Sequence, residues 1–192
     1  MCNGRLRQQR SAQRGLTLIE LVIGVVIASI TLSIAVPTFD HVMAQNRRAV
    51  TANRLLAALV TARETAISRN TPVTFCAGNP SEGCHGDWRL HEWMVFVDAD
   101  HDGQVDAGEF VKTVDSLSSS VRVGISGNGP FRHAVIFEPS GAAQTPSGAF
   151  AAGRLRICAS KPMQDEATDL VLIGSGRIEP ESRDFPDGCR AI

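Results

Sequence analysis

The feature that most constrains this chain is an apolar segment, from Leu16 to Val36, that contains one ionisable side chain, Glu20. A helix of this length is about 30 Å long, which is enough to cross the hydrocarbon core of a bilayer. A charge inside such a helix costs about 3 kcal/mol and usually marks a functional position. The segment therefore predicts a membrane-spanning helix in which Glu20 has a specific role.

The residues before this segment indicate its orientation. Residues 1–15 include four arginines and no acidic residue, and short basic flanks stay on the cytoplasmic side of a membrane. We therefore expect the chain after Pro37 to lie outside the cytoplasm. The alternative, a secretory signal peptide, would need an A-x-A-like cleavage site, of which Ser33-Ile34-Ala35 is a poor version. Glu20 would also be unusual in the apolar region of a signal peptide.

The start of the segment, Gly15-Leu16-Thr17-Leu18-Ile19-Glu20, resembles the prepilin motif of type IV pilins and type II secretion pseudopilins. The resemblance implies cleavage after Gly15 by a prepilin peptidase and methylation of the new N-terminus at Leu16, where the family most often has Phe. Pro37 continues the pattern of the long helix in that family. The implied partners are other pilin-like subunits, the peptidase and an inner-membrane assembly platform. The implied localisation is a single-pass inner-membrane protein with a periplasmic C-terminal domain, which enters a filament after assembly.

A filament of parallel helices would give Glu20 a partner that an isolated membrane helix lacks. Its carboxylate can meet the free amine of Leu16 on a neighbouring subunit, which would offset the cost of burying both charges. The same contact would set the axial register of the subunits. The alternative is a protonated Glu20 with no role in assembly.

Beyond the membrane segment, the pattern changes first to an amphipathic helix and then to strands. Apolar residues recur with helical spacing until Asn70-Thr71-Pro72 ends the pattern. The basic residues between them are predicted to lie mostly on a solvated face: Arg47, Arg48, Arg54, Arg63 and Arg69. We expect a leader at 1–15, a transmembrane and filament-core helix at 16–37, an amphipathic helix at 38–70 and a β-rich periplasmic domain at 71–192.

Short β-type runs, separated by Gly, Pro and Asn, follow Pro72 and predict an antiparallel sheet that packs on the amphipathic half of the helix. The predicted fold class is α+β. We expect Gly141–Gly153, which is rich in small residues, to be a mobile loop. The candidate strands are Val73–Ala77, Trp93–Val97, Phe110–Val114, Val121–Ile125, Ala134–Phe137, Leu155–Cys158, Leu170–Ile173 and Arg177–Glu179.

Three later motifs extend the resemblance over most of the chain. Phe137-Glu138-Pro139-Ser140-Gly141 resembles the F-x-P-x-G turn of the H-type pseudopilin and FimT/FimU minor pilin family. Leu155-Arg156-Ile157-Cys158 and Leu170–Arg177 resemble the terminal strands of that family. The resemblance implies a structural subunit of a type II secretion pseudopilus or of a type IV pilus, and not an enzyme. No histidine lies beside a convincing nucleophile motif.

Four cysteines remain once the leader with Cys2 is removed, and an even number in an exported domain predicts two disulfides. Sequence proximity favours Cys76–Cys84 and Cys158–Cys189 among three pairings. The competing interpretation is a zinc site, although its spacing is not a standard zinc pattern. Its ligands would be Cys76, Cys84, His85 and His91.

An acidic segment between two predicted strands, Asp98–Glu109, fits the twelve-residue calcium-loop pattern D-x-D-x-D-G-x5-E. Hard oxygen ligands, a Gly for the turn and a final Glu are what a six- to eight-coordinate Ca²⁺ needs. The alternative is a polar turn without an ion, and no cofactor is otherwise required. The candidate ligands are Asp98, Asp100, Asp102, Gln104, Asp106 and Glu109.

DNA binding is the alternative function, because some FimT-like minor pilins bind DNA through a C-terminal G-R-x-R motif. Here the matching segment, Gly176-Arg177-Ile178-Glu179, has Glu in place of the second Arg, and Gly153-Arg154-Leu155-Arg156 fits the letters one strand earlier. Arg183 and Arg190 could form a patch with Arg177. The whole chain has a formal charge of −1, so loss of the four leader arginines would leave about −5, which does not favour phosphate binding.

Overall fold

The computed structural model describes residues 17–160, 165–190 and 192 of the chain. It begins with one long helix, α1, at Leu18–Arg69, and Pro37 lies within this helix. The described chain separates into two compact units, one that ends at Phe39 and one that begins at Asp40, so that α1 contributes to both.

The first unit is the apolar start of α1. Side chains from Leu18 to Val36 are all exposed, and this part of the helix is long and apolar enough to cross a membrane by length and composition. Its hydroxyl groups bond to the helix itself: Ser29 Oγ donates to the carbonyl of Val25 at 2.8 Å. Such bonds leave no hydroxyl unpaired in an apolar environment. The surface of this unit therefore suits lipid or other apolar helices.

In the second unit, α1 buries one face against β-sheets. The buried positions recur at helical spacing, as one face of a helix requires, and half of them are Ala, which lets the sheets approach closely. The helix ends where Asn70 takes the left-handed conformation, with φ of 53°, and Pro72 prevents further helix. The buried residues are Ala44, Arg48, Thr51, Ala52, Leu55, Ala58, Leu59, Ala62, Thr65 and Ala66.

Eleven strands lie in the described residues after α1. They are β1 Val73–Cys76, β2 Gly78–Asn79, β3 Gly83–Cys84, β4 Glu92–Val97, β5 Val111–Ser116, β6 Val123–Gly127, β7 Val135–Phe137, β8 Ala143–Gln144, β9 Gly153–Ala159, β10 Glu166–Leu172 and β11 Ile178–Asp184. One antiparallel sheet has the order β5-β4-β1-β7-β8, and a second has the order β11-β10-β9-β6. Strands β2 and β3 form a separate hairpin.

One hydrophobic cluster joins the helix to both sheets. Leu55 and Leu59 of α1, Phe75 of β1, Trp93 of β4 and Leu155 of β9 belong to it, and each is fully buried. Burial of a side chain of this size stabilises a fold by about 2–3 kcal/mol. The predicted α+β class, a long N-terminal helix on antiparallel sheet, is confirmed.

The structure also adds order that the sequence pattern did not predict. Each candidate strand coincides with a strand of the structure, but the short strands β2, β3 and β8 were not predicted. Strand β8 lies in Gly141–Gly153, the segment expected to be a mobile loop. Ala143 and Ala151 in that segment are fully buried, and Gln144 pairs with Phe150. Small residues there let the chain pack closely, whereas their composition alone had predicted a loop.

The predicted solvated basic face of α1 is wrong for Arg48, and Arg54 and Arg63 are only partly exposed. Arg48 is buried, and its Nη2 lies 2.8 Å from Oε2 of Glu166 in β10. Helical spacing identifies which residues share a face, but it does not show where the sheets place their acceptors. Two more arginines of α1 also form hydrogen bonds: Arg54 donates to Asp115 in β5, and Arg63 donates to the carbonyl of Gly141. These arginines fasten the helix to the sheets.

Candidate functional site

Glu20 lies in the first turn of α1, where it forms a capping box with Thr17. Its Oε2 accepts hydrogen bonds from the backbone N–H and the Oγ1 of Thr17, both at 2.8 Å, and its own N–H donates to Thr17 Oγ1 at 3.3 Å. This reciprocal pattern satisfies N–H groups that a helix start leaves open. The predicted cleavage site between Gly15 and Leu16 lies outside the described residues, so processing and methylation there stay predictions.

The acidic loop follows β4, and its first carboxylate is fully buried. Asp98 Oδ2 accepts from Thr74 Oγ1 at 2.5 Å and from the N–H of Gly103 at 3.0 Å, while Oδ1 accepts from the N–H of Asp102 at 3.1 Å. Burial raises the pKa of the Asp98 carboxyl above its ordinary value of 3.8, and these three hydrogen bonds act in the opposite direction. Asp98 therefore organises the loop around itself.

Only part of the predicted ligand set converges in the described residues. Oxygen atoms of Asp98, Asp100 and Asp102 lie within 4.8 Å of one another. Glu109 is used differently: its carboxylate accepts from the N–H of Ala99 at 2.8 Å and of Asp106 at 3.1 Å. The N–H of Gln104 donates to Asp102 Oδ1 at 2.7 Å. Calcium in this loop stays a prediction of the sequence.

Both disulfides of the structure have the pairing that sequence proximity favoured. Cys76 pairs with Cys84 and Cys158 with Cys189, with Cα–Cα distances of 5.7 and 5.8 Å, which are ordinary for disulfides. The zinc alternative is wrong, because the first disulfide consumes two of its four ligands.

A neighbouring group of Glu82, His85 and Glu92 also has oxygen and nitrogen atoms within 4.8 Å of one another. However, Nδ1 of His85 accepts from the N–H of Asp87 at 3.0 Å, which leaves the proton of a neutral ring on Nε2. That nitrogen then donates to Glu92 at 3.1 Å and has no lone pair for a metal. This group is a hydrogen-bonded cluster that supports the β2–β3 hairpin.

The arginines predicted to contact DNA do not form one patch. Arg177 and Arg183 lie near opposite ends of β11, about 20 Å apart at ~3.3 Å per residue. Arg177 is paired with Glu179, and Arg183 with Glu181 at 2.7 Å. Arg190 is exposed in the C-terminal tail, residues 185–192. Carboxylates beside two of the three cations reduce their attraction for phosphate.

Sequence reasoning missed a buried ion pair on the outer face of the second sheet. Arg156 donates to both oxygens of Asp169, and Asp169 is fully buried. The C-terminal tail covers this pair: the guanidinium lies 4.4 Å from the ring centre of Phe185, and it donates to the carbonyl of Arg190 at 3.3 Å. Arg156 is the second arginine of Gly153-Arg154-Leu155-Arg156, so this copy of the motif has only Arg154 available to a ligand.

Together, the apolar start of α1, its capping box at Glu20 and the disulfide-bonded β-domain define a pilin-like subunit. Residues 51–176 match the type II transport protein GspH family, and residues 10–36 match the prokaryotic N-terminal methylation motif. The chain belongs to the GspH family. It is a minor pseudopilin of type II secretion, a structural protein and not an enzyme.

A comparison with solved structures supports the fold. The chain is similar to the type IV minor pilin FimU of Pseudomonas aeruginosa strain PAO1, crystallised in space group P21, with 17% identity and a TM-score of 0.51. The match covers 76% of this chain and 97% of FimU. A crystal form of FimU in space group P65 matches with 16% identity and a TM-score of 0.46, over 73% of this chain and 98% of that one. No curated protein sequence matches this chain.

Membership of the pseudopilin family implies processing by a prepilin peptidase and assembly with other pilin-like subunits. Its methylation motif and apolar helix are those of a prepilin anchored in the inner membrane.

Proposed function

We propose that this chain is a minor subunit of a type II secretion pseudopilus whose position is set by Glu20. The peptidase cuts after Gly15, Leu16 becomes the methylated N-terminus, and residues 38–192 lie in the periplasm. An inner-membrane assembly platform then moves the subunit into the filament. The observation that carries this proposal is the placement of Glu20, a carboxylate in the first turn of a helix whose other side chains up to Val36 are uncharged and exposed.

The capping box gives Glu20 a suitable geometry before assembly. One carboxylate oxygen, Oε2, receives both bonds from Thr17. No described residue donates a hydrogen bond to Oε1. In the filament, Oε1 accepts from the amine of Leu16 on a neighbouring subunit, while Oε2 still caps its own helix. The carboxylate of Glu20 then interacts both with the positively charged amine of the neighbouring subunit and with the positive end of its own helix dipole.

The test compares Glu20→Ala, Glu20→Gln and Glu20→Asp in a deletion strain that expresses each full chain. We expect all three to be processed, as shown by the mass of the N-terminal peptide. Filament incorporation should be lost in the Ala variant, strongly reduced in the Gln variant and partly retained in the Asp variant, because the contact needs a charge. Normal incorporation of Glu20→Ala would overturn the proposal.

The same deletion strain tests the secretion assignment. We expect loss of exoprotein secretion with normal surface pili. Loss of pili or of transformation with normal secretion would instead favour a type IV minor pilin, and in that case salt-dependent DNA binding would be measured next.

A further inference from the structure

Two arginines in the second unit share one shallow groove of about 690 Å³. Arg132 ends the 3-10 turn Gly129–Arg132 that precedes β7, and Arg154 lies in β9. Across the described parts of the chain, no carboxylate lies within 4.0 Å of either guanidinium. Two uncompensated cations beside one groove favour an anionic partner.

The groove also has an apolar side. Val171 and Ile173 line it, and Ile173 is exposed. Phe150 is 78% exposed next to it: a Cβ added to Gly174 would lie 3.2 Å from Cβ of Phe150. Aromatic and Arg side chains that lie together at a surface are the residues enriched in interfaces between proteins. This combination favours a protein partner over a free anion.

The wall of the groove is rigid. Asn128 holds Arg154 by two bonds, because its Oδ1 accepts from the N–H of Arg154 at 2.7 Å and its N–H donates to the Arg154 carbonyl at 3.0 Å. The N–H of Phe131 donates to the backbone carbonyl of Asn128. The Phe131 carbonyl in turn accepts from the indole N–H of the buried Trp88 at 2.7 Å. A rigid surface pays little entropy on binding.

The groove lies at the end of the second unit that is farthest along α1. The turn between β10 and β11 contacts Arg63: a Cβ added to Gly176 would lie 3.0 Å from Arg63 Nε. The other end of β10 lies near Arg48, which is bonded to Glu166. Fifteen helical residues separate the two arginines, or about 22 Å along the helix axis. We name the groove the distal groove and the end near Arg48 the entry end.

The entry end has the complementary charge at one corner. Asp184 pairs in register with Glu166, and the N–H of Phe185 donates to the carbonyl of Asp165 at 2.7 Å. The acids of this entry corner, defined by Asp165, Asp184 and Asp187, are exposed and form no ion pair within the described chain. The distal groove therefore has two arginines without a carboxylate partner among the described residues, and the entry corner has three acids without a cationic partner there, with the exposed Arg190 near Asp187.

We propose that the distal groove receives an acidic surface at the entry end of another pilin-like subunit, the next one along the filament, and the entry corner of this chain shows that the fold can present such a surface. In a filament of parallel subunits, such a head-to-tail contact joins the distal end of one domain to the entry end of the next. Arg132 and Arg154 bind carboxylates of the partner, and Phe150 with Ile173 covers an apolar side chain beside them. This inference rests on the proposed function, because it requires the chain to enter a filament.

The test is photo-crosslinking of the full chain in its own host, with its companion subunits expressed. Phe150 is replaced by the photoreactive analogue p-benzoylphenylalanine. A matched probe replaces Val114, which is 50% exposed on the edge strand β5 and outside the groove. We expect position 150, and not position 114, to crosslink to another pilin-like subunit, through a peptide that contains acidic residues of its entry end.

Charge reversal then tests the chemistry. Arg132→Glu combined with Arg154→Glu should reduce the adduct at position 150 at least tenfold, whereas Arg122→Glu, an exposed arginine at the start of β6, should leave it unchanged. Reversal of the acids in the captured subunit should restore the adduct. Formation of the Cys158–Cys189 bond reports that each variant is folded.

Three results would overturn the groove assignment: an adduct that survives the double reversal, an adduct with nucleic acid, or no adduct in a chain that is isolated within filaments. Failure of the unmodified chain to enter filaments would instead contradict the proposed function.

Discussion

Arg156 and Asp169 form a two-point ion pair on neighbouring strands, with N···O distances of 2.8 and 2.9 Å, beneath the C-terminal tail. The two residues face each other in register between β9 and β10, and Arg183 Nε lies 3.3 Å from the same carboxylate. Hydrogen bonding to Asp169 raises the pKa of the Arg156 guanidinium. Both charges therefore persist in the folded domain, and the loss of Asp169 leaves Arg156 buried without its carboxylate partner.

Asp169→Ala is expected to destabilise the second unit by about 3–5 kcal/mol, because it leaves Arg156 unpaired under the tail. The free energy of unfolding can be followed by the fluorescence of Trp88 and Trp93, which are both buried in this unit. The matched control is Glu179→Ala, which removes the exposed partner of Arg177 and should cost less than about 1 kcal/mol. Equal effects of the two changes would contradict a structural role for the buried pair.

The two disulfides should differ in their contribution to stability. Cys158 and Cys189 are 31 residues apart, whereas Cys76 and Cys84 are 8 apart. When both cysteines of a bond become Ser, loop-closure entropy predicts that the free energy of unfolding falls by roughly 4 kcal/mol for Cys158–Cys189 and by roughly 2.5 kcal/mol for Cys76–Cys84. Denaturant titration of the two double variants measures this difference. A larger loss from the shorter loop would show that strain or local packing, and not chain entropy, controls the effect.

Stability should fall on the acid side partly through Glu92. Hydrogen bonds from Asn79 and His85 lower the pKa of its carboxyl below 4.5. Between the folded-state pKa and 4.5 the unfolded chain binds more protons, so the contribution of Glu92 is present above 4.5 and is lost as the pH falls through the folded-state pKa. Glu92→Gln should make the dependence of the unfolding free energy on pH shallower in that window. An unchanged slope would show that the cluster does not perturb Glu92.

The calcium prediction can be tested on the full chain in detergent. Because Asp98, Asp100 and Asp102 already converge, we expect millimolar Ca²⁺ to raise the melting temperature, and Asp100→Ala to abolish the rise. Asp100 is exposed, so this change tests the ion without removing the buried hydrogen bonds of Asp98. An unchanged melting temperature, with no heat of binding in calorimetry, would show that the loop is a polar turn that binds no Ca²⁺.

Several elements could be predicted from the sequence because their signals are local. The long helix and its end at Asn70 follow from periodicity and from backbone rules, and the eight longer strands follow from β-type runs between turn residues. Strands of two residues, such as β8, carry too little pattern to be recognised. They exist because a neighbouring strand supplies the hydrogen bonds, as β7 does for β8.

Sites that depend on cross-strand register could not be predicted in the same way. The sequence shows Arg154, Arg156, Asp169 and Arg183 only as charged residues of strands. The register of β9, β10 and β11 decides that Arg156 is neutralised by Asp169 while Arg154 faces a groove. The hydrogen-bond partners of the arginines of α1 could not be predicted for the same reason, since their acceptors lie far from the helix in sequence.

The sequence by itself determined the membrane-type helix, the position of Glu20 within it, the family and the α+β class, because each depends on residues that are adjacent or periodic along the chain. Only the tertiary structure decided which arginines form ion pairs, that the tail covers Arg156, and that the arginines of the distal groove and the acids of the entry corner lie at opposite ends of the domain. Those properties depend on distances between residues far apart in sequence, and packing of the helix against two sheets fixes these distances.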